Sequence, residues 1–216
     1  MTNIIFYYII NMATNTFSFP KILQALYYIQ SRAPSSNQDR FDITYLLKII
    51  FFSDRYHLRH FGITATGDDY YAMKKGPMAS LTYDLLKGKL PGNYEKHLSS
   101  IHKMTEYRIE IKRQEEDELS DSFKEAIDFA LKEFGNYGWE KISDISHCYP
   151  EWEKHEKELS TSKSVPMNEI DFFDDPGDYA RLAKSGKEND PFEDDKEYLS
   201  LRKKHYESYH VPPRFN

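Results

Sequence analysis

The segment FFSDRYHLRHFG, residues 51–62, sets an aspartate, two arginines and two histidines into an apolar run. Spaced as Asp54-x-x-His57-x-x-His60, three of these side chains could reach one divalent cation from successive helical turns, with donors about 2 Å from the ion. Zinc-binding helices more often place His at i and i+4 around a Glu, which this segment does not do. A second chemistry is proton transfer by a His or carboxylate in a cleft, next to a nucleophile or an activated water. No Gly-rich phosphate loop, serine elbow or His-Glu-x-x-His pattern accompanies the segment.

Helical phase divides these residues. At about 100° per residue, Ile43, Leu46, Leu47, Ile50, Leu58 and Phe61 fall on one stripe, with Asp54 and His57 in its middle. Arg55 and Arg59 lie away from it, beside Phe52, and His60 sits at its edge. The phase therefore predicts a structural polar core at Asp54 and His57, bonded to each other, to an Arg or Tyr from elsewhere, or to backbone N–H groups. Buried polar groups are costly unless paired and help fix one packing when paired. Arg55 and Arg59 are expected to face out. That is first a solvated face, and beside an aromatic ring it is also the composition of interface hot spots.

Smaller groups invite chemistry less strongly. Lys74-Lys75-Gly76-Pro77 could touch phosphate, but two lysines in an acidic chain read first as a solvated turn. Asp68-Asp69 could hold a cation, although Thr-Gly-Asp-Asp reads first as a turn or cap. His147 and Cys148 could form a nucleophile pair near Trp152, yet adjacent helical residues point about 100° apart, which favours core packing.

The elements that must position these residues are mostly helices. Residues 17–32 predict a first helix with Ser18 as cap, Pro20 in its first turn and a stripe of Ile22, Leu23, Leu26 and Ile29. Residues 42–61 predict the strongest helix, stopped by Gly62. TATGDDYYAMKKGP suits a short extended segment ended by Gly76-Pro77, and MASLTYDLLKG a third helix with Pro77 near its start. YRIEIKR reads as a strand of period two, and LSDSFKEAIDFALKEFG as an amphipathic helix closed by Gly135. WEKISDISHCY and PEWEKHEKEL predict two shorter helices. From about residue 165 the chain turns acidic, rich in Pro and Gly and poor in aliphatics, so it is not expected to offset its own ordering entropy. DDKEYLSLRKKHYESYH after it predicts a terminal helix, capped by Asp194 or Asp195, with Tyr198, Leu201, His205 and Tyr209 on one face.

The fold class expected is mainly α: a compact multi-helix domain with a small β-hairpin or short strands, plus an extended acidic C-terminal tail. Its parts are an N-terminal extension over 1–16, a helical domain over 17–164, and a tail over 165–216 expected to bind a partner. Met12 could equally be the start, leaving residues 1–11 as an artefact of start choice.

Composition narrows the function classes. The net charge is −6 over 216 residues. From Glu169 to Glu197, eleven Asp/Glu face four Lys/Arg, so the rest of the chain is close to neutral. Non-specific nucleic-acid binding draws on clustered positive charge, and nucleic acid is not expected as a partner. One cysteine allows neither an internal disulfide nor a thiolate zinc cage, and a reducing cytoplasm is the simplest compartment. The opening apolar run is too short to span a bilayer and has no basic leader, so no membrane role is expected.

The order of motifs resembles a known family. YLLKIIFFSDRYHLRHFGITATGDDYYAMKKGPMASLTYDLLKG is similar to the signature of the Panacea domain, the SocA-like antitoxin family that includes phage-associated GepA-like proteins. Its approximate pattern is Lys-Leu-Leu-Tyr-Phe-Ala-Asp-Arg-Tyr-His-Leu, a Thr/Ser-Gly-Asp turn, Ala-Met-Lys-x-Gly-Pro, then a helix containing Leu-Tyr-Asp. Here it falls on Lys48, Asp54, Arg55, Tyr56, His57, Leu58, Thr66, Gly67, Asp68, Ala72, Met73, Lys74, Gly76, Pro77, Tyr83 and Asp84, among others. Ser53 stands where Ala is common, and Met78-Ala79 where Val-Pro is common. The resemblance covers roughly residues 20–160 and leaves the acidic tail outside.

That resemblance implies an antitoxin of a type II toxin–antitoxin pair, binding a cognate protein toxin encoded by a neighbouring gene. It implies no catalytic residues and no cofactor. An alternative is a proteolytic adaptor delivering the toxin to a ClpXP-type protease. A metal-dependent hydrolase using Asp54 and His57, with His147, is the alternative of another class, and a DNA-binding autorepressor is disfavoured by charge. Partner contacts are expected at Arg55, Arg59, Tyr71 and Lys74, and at Tyr198, Leu201 and Tyr209 of the tail.

Overall fold

The computed structural model describes residues 16–210 and, of the last two of these, the backbone alone. The N-terminal extension up to residue 15, with Met12, and the side chain of Tyr209 lie outside the described residues. Helix α1, Phe19–Arg32, is capped by Ser18, whose hydroxyl accepts from Lys21 N, and carries Pro20 in its first turn. It forms where its stripe predicts it, burying Ile22, Leu23, Leu26 and Ile29.

Helix α2, Ile43–Phe61, is the centre of the molecule. Asp42 caps it through bonds from Thr44 N and Tyr45 N, and Gly62 ends it at φ 81°, a left-handed turn that L side chains avoid. It is packed by α1, by α3 (Ser80–Lys87), by α4 (Asp121–Phe134), by α5 (Trp139–Ser146) and by a 3₁₀ turn over 169–173. Surrounded in this way, it buries both faces. Tyr45, Ile49 and Phe52 lie across the helix from the Ile43–Phe61 stripe and are as deeply buried as the stripe itself.

Strands β1 (Tyr70–Met73) and β2 (Gly76–Ala79) form a hairpin, and β5 (Ser164–Pro166) adds to the other edge of β1, all antiparallel. The third helix therefore begins at Ser80, later than its sequence suggests. Pro77 sits opposite Ala72 in β2, an edge strand whose outer side tolerates a missing N–H. A second hairpin pairs β3 (Ile101–Lys103) with β4 (Ile109–Ile111). The strand expected in YRIEIKR is β4. The helix expected in PEWEKHEKEL shrinks to one turn, α6, Pro150–Glu153.

The largest departure is the acidic segment. Residues 169–173, α7 (Tyr179–Lys184) and the start of α8 (Lys196–His210) fold back on the helices, and Phe172, Phe173, Leu182, Phe192 and Leu199 enter the main core. Counting aliphatics undervalued three phenylalanines, each able to bury roughly 150 Å² or more. Phe172 meets Phe51 edge-on at 5.5 Å, and Phe192 lies near parallel to Phe52 at 5.9 Å.

Candidate functional site

The side chains of α2 that could do chemistry are all committed to the fold. Asp54 is fully buried. It accepts from Ala65 N at 2.7 Å, Thr66 N at 3.0 Å, the Thr66 hydroxyl and the Tyr70 hydroxyl at 2.8 Å. Burial pushes its carboxyl up, and the bonds from Thr66 and Tyr70 pull the other way. Asp68 extends this clamp. Its backbone N–H donates to Thr66 Oγ1, and its carboxylate accepts from Leu81 N, Thr82 N and the Thr82 hydroxyl at 2.8–2.9 Å. Ala79 has no cap to offer α3, so Asp68 supplies it from the neighbouring turn. The Thr-Gly-Asp turn thus joins α2 to α3, and burial raises Asp68 to about 6.

His57 does not bond Asp54. Its Nδ1 lies 2.7 Å from Ile63 O, so that nitrogen carries the proton, and Nε2 accepts from Ser122 Oγ at 3.0 Å. Burial lowers its pKa. His60 turns elsewhere, stacking on Tyr56 at 3.9 Å. The Asp54-His57-His60 set does not converge, and among the described residues no three His, Cys, Asp or Glu side chains are grouped to hold a metal. His147 stacks on Trp152 at 3.9 Å and is pushed down to about 4 by burial. Burial raises the Cys148 thiol, whose hydrogen goes to Asp144 O, the reverse of an activated nucleophile.

Arg55 and Arg59 correct the expectation of an outward face: both are 0% exposed. Arg55 forms a bidentate pair with Glu151 of α6, at 2.6 and 2.7 Å, and donates to Asp174 O at 2.6 Å. Its guanidinium lies 4.4 Å from the Tyr149 ring and 5.1 Å from that of Phe192. Burial opposes its charge, but Glu151 and Asp190 outweigh that and raise its pKa. Arg59 donates to the carbonyls of Phe172, Phe173, Asp174 and Phe192 and to Asp175 Oδ1 at 2.8 Å. The first three carbonyls stand at the end of the 169–173 turn, where the backbone dipole favours a cation.

Two consequences follow for charge. Part of the acidic segment serves as counter-charge within the chain: Asp175 meets Arg59, Asp174 meets Lys203 at 2.5 Å, and Asp171 meets Lys154. Lys48, which sequence reasoning did not single out for chemistry, is also fully buried, donating to Pro77 O at 2.6 Å, and burial lowers it to about 7. A Cβ at Gly76, where φ is +95°, would strike Ser146 Oγ and come within 2.9 Å of Lys48 Cε. That close approach gives the Lys-x-Gly-Pro turn its glycine.

Of the other contact candidates, Lys74 is exposed in the β1–β2 turn and Tyr71 is half-buried in β1. Tyr198, 40% exposed, donates to His60 O, and Leu201 is 61% exposed on α8. The buried side of α8 is instead Leu199 and Tyr206, the latter bonded to Glu169 at 2.9 Å.

The described residues form a mainly helical domain in which one central helix ties hairpin, helices and tail together. The family model described as "Antitoxin SocA-like, Panacea domain" matches residues 46–153, half of the chain, and the chain belongs to that family. No curated protein and no solved structure is matched. Among the described residues no helix is long and apolar enough to cross a membrane.

Proposed function

We propose that this chain is the antitoxin of a type II toxin–antitoxin pair and neutralises a cytoplasmic protein toxin by binding it directly. The observation that carries this reading is the family match over 46–153, which spans most of α2, the β1–β2 hairpin and α3 to α6. The geometry supports recognition over catalysis. Asp54, His57 and the terminal guanidinium nitrogens of Arg55 and Arg59 are bonded to backbone or to side chains packed around them, and groups so occupied are poorly placed to take a substrate.

The test is expression of the adjacent reading frame with and without this chain. Growth arrest by the neighbour alone, growth restored by co-expression, and a complex of fixed ratio on gel filtration are the expected results. A neighbour that is harmless alone would overturn the reading. Protection that persists in a host lacking the ClpXP-type protease distinguishes direct masking from delivery to proteolysis.

A further inference from the structure

Four elements converge on one exposed ring. Tyr107, in the β3–β4 turn, is 52% exposed, and Met104 in the same turn is 48% exposed. Lys87, at the end of α3, lies 4.8 Å from the Tyr107 ring centroid. Lys75, in the β1–β2 turn, lies 5.7 Å from it and 4.4 Å from the ring of Trp139 at the start of α5. The turn is fixed from behind: Tyr107 O accepts from Ile43 N at 2.9 Å, at the head of α2, and Met104 N donates to Arg108 O at 2.9 Å. Among the described residues neither ammonium is in a salt bridge. Lys87 Nζ donates to the Glu106 carbonyl at 3.2 Å, while the Glu106 carboxylate engages the Tyr107 hydroxyl and raises it.

The surrounding chain is positive where the molecule as a whole is not. Residues 74–113 hold nine Lys/Arg against four Asp/Glu, in a chain of net charge −6. A rigid aromatic flanked by unpaired cations has the make-up of a binding hot spot with a charged rim, and its fixed backbone lowers the ordering cost on association.

We propose that the Met104–Tyr107 turn, with Lys75 and Lys87, is the surface that docks the toxin, and that it takes a carboxylate-bearing segment of that protein. The proposal rests on the toxin-binding reading above. A protein carboxylate fits better than a phosphate chain: Glu106, Asp84 and Glu110 break the positive field, and the acidic remainder of the molecule repels an extended polyanion. A short acidic stretch with an apolar neighbour meets both the lysines and the exposed ring.

The test uses the full chain and the product of the adjacent reading frame, titrated against each other by calorimetry at two salt concentrations. Tyr107→Ala and the pair Lys75→Glu/Lys87→Glu are expected to weaken binding by about tenfold or more each. The charge reversal is expected to flatten the salt dependence, and Tyr107→Ala, at a side chain 52% exposed, should leave the thermal unfolding midpoint unchanged. Lys132→Ala, at a side chain 80% exposed on α4, is the control expected to bind as wild type. Wild-type affinity in both patch variants would overturn the proposal while leaving the antitoxin reading standing. No binding by the wild-type chain would overturn both. Binding of a labelled single-stranded RNA that is lost in Tyr107→Ala, with toxin binding retained, would make the patch a nucleic-acid surface and would also overturn it.

Discussion

Asp54 and Arg55 are neighbours on one helix, yet they tie together different parts of the molecule. Asp54 holds Ala65, Thr66 and Tyr70, 11 to 16 residues along the chain. Arg55 and Arg59 hold Glu151 and the tail carbonyls, 96 to 133 residues away. The first is a local clamp that the signature contains whole. The second is a long-range clasp whose farther half, from Phe172 to Phe192, lies outside the family-matched region. The difference teaches that the signature Arg55 and the nearby Arg59 are completed by the acidic segment, which acts as a buried counterpart instead of a free arm.

Removing that counterpart should have the largest effect. A chain ended after Met167 keeps β5 but loses every bonded partner of Arg59 and bares Phe51 and Phe52. Two buried guanidinium groups and an opened aromatic core are expected to abolish cooperative unfolding in urea and to drive the protein into aggregates. A truncated chain that unfolds at the full-length midpoint would make the tail an appendage and dissolve the comparison.

Single substitutions separate the two regions more finely. Arg55→Ala strands the Glu151 carboxylate at 0% exposure and should cost about 3–5 kcal/mol in urea denaturation. Arg55→Met combined with Glu151→Leu should recover most of that loss, because a packed apolar pair of similar volume replaces buried ions at little cost. Asp54→Ala leaves two backbone N–H groups and two hydroxyls without an acceptor, about 3 kcal/mol. The sites of damage should differ. Amide exchange should rise over residues 63–82 in the Asp54 variant, and proteolysis over 174–195 in the Arg55 variant. Identical patterns in both would show one cooperative unit in place of two ties.

Lys48 gives a pH signature from the same helix. Its folded pKa, about 7, lies below the usual 10.5, so between those values the unfolded chain holds a proton that the folded chain has released. Stability from this site is therefore greatest above 10.5 and falls as pH drops toward 7. Lys48→Met should remove that slope, about 3–4 kcal/mol between pH 7 and 10, when the two unfolding curves are subtracted. Parallel curves would mean that the buried amine keeps an ordinary pKa.

What was legible in the sequence follows the same division. The amphipathic helices, the Ser18 cap and the stop at Gly62 were readable because their causes sit within a few residues. The polar roles of Asp54 and His57 were readable from phase, although not their separate partners. The orientation of Arg55 and Arg59 was not, because a stripe rule assumes that one side of a helix meets water. The signal that could have corrected it was the second apolar set, Tyr45, Ile49 and Phe52, together with an acidic segment carrying three phenylalanines. Only long-range packing joins those two facts. The Tyr107 patch was illegible for the same reason, since its residues come from four separate elements.

The smallest expected effect concerns how the tail's last helix is held. Glu169 accepts from Tyr206 of α8 at 2.9 Å and is raised to about 7, chiefly by burial, against opposing bonds from Tyr206 and Thr64 and with Asp54 and Asp69 nearby. Its folded pKa lies above the ordinary 4.5, so the folded chain keeps a proton that the unfolded chain loses in between. The contribution is complete below about 4.5 and is lost as pH rises through 7. Wild type should therefore lose about 1–2 kcal/mol from this site between pH 5 and pH 8. Glu169→Gln, which stays neutral and can still accept from Tyr206, should lack that component in paired thermal melts. Because Arg55 and Arg59 keep their charge across this range, the clasp on residues 172–192 should not follow. Proteolysis at pH 8 should then quicken first in residues 196–206 and leave 172–192 protected. Simultaneous exposure of both stretches would place α8 and the clasp in a single opening unit.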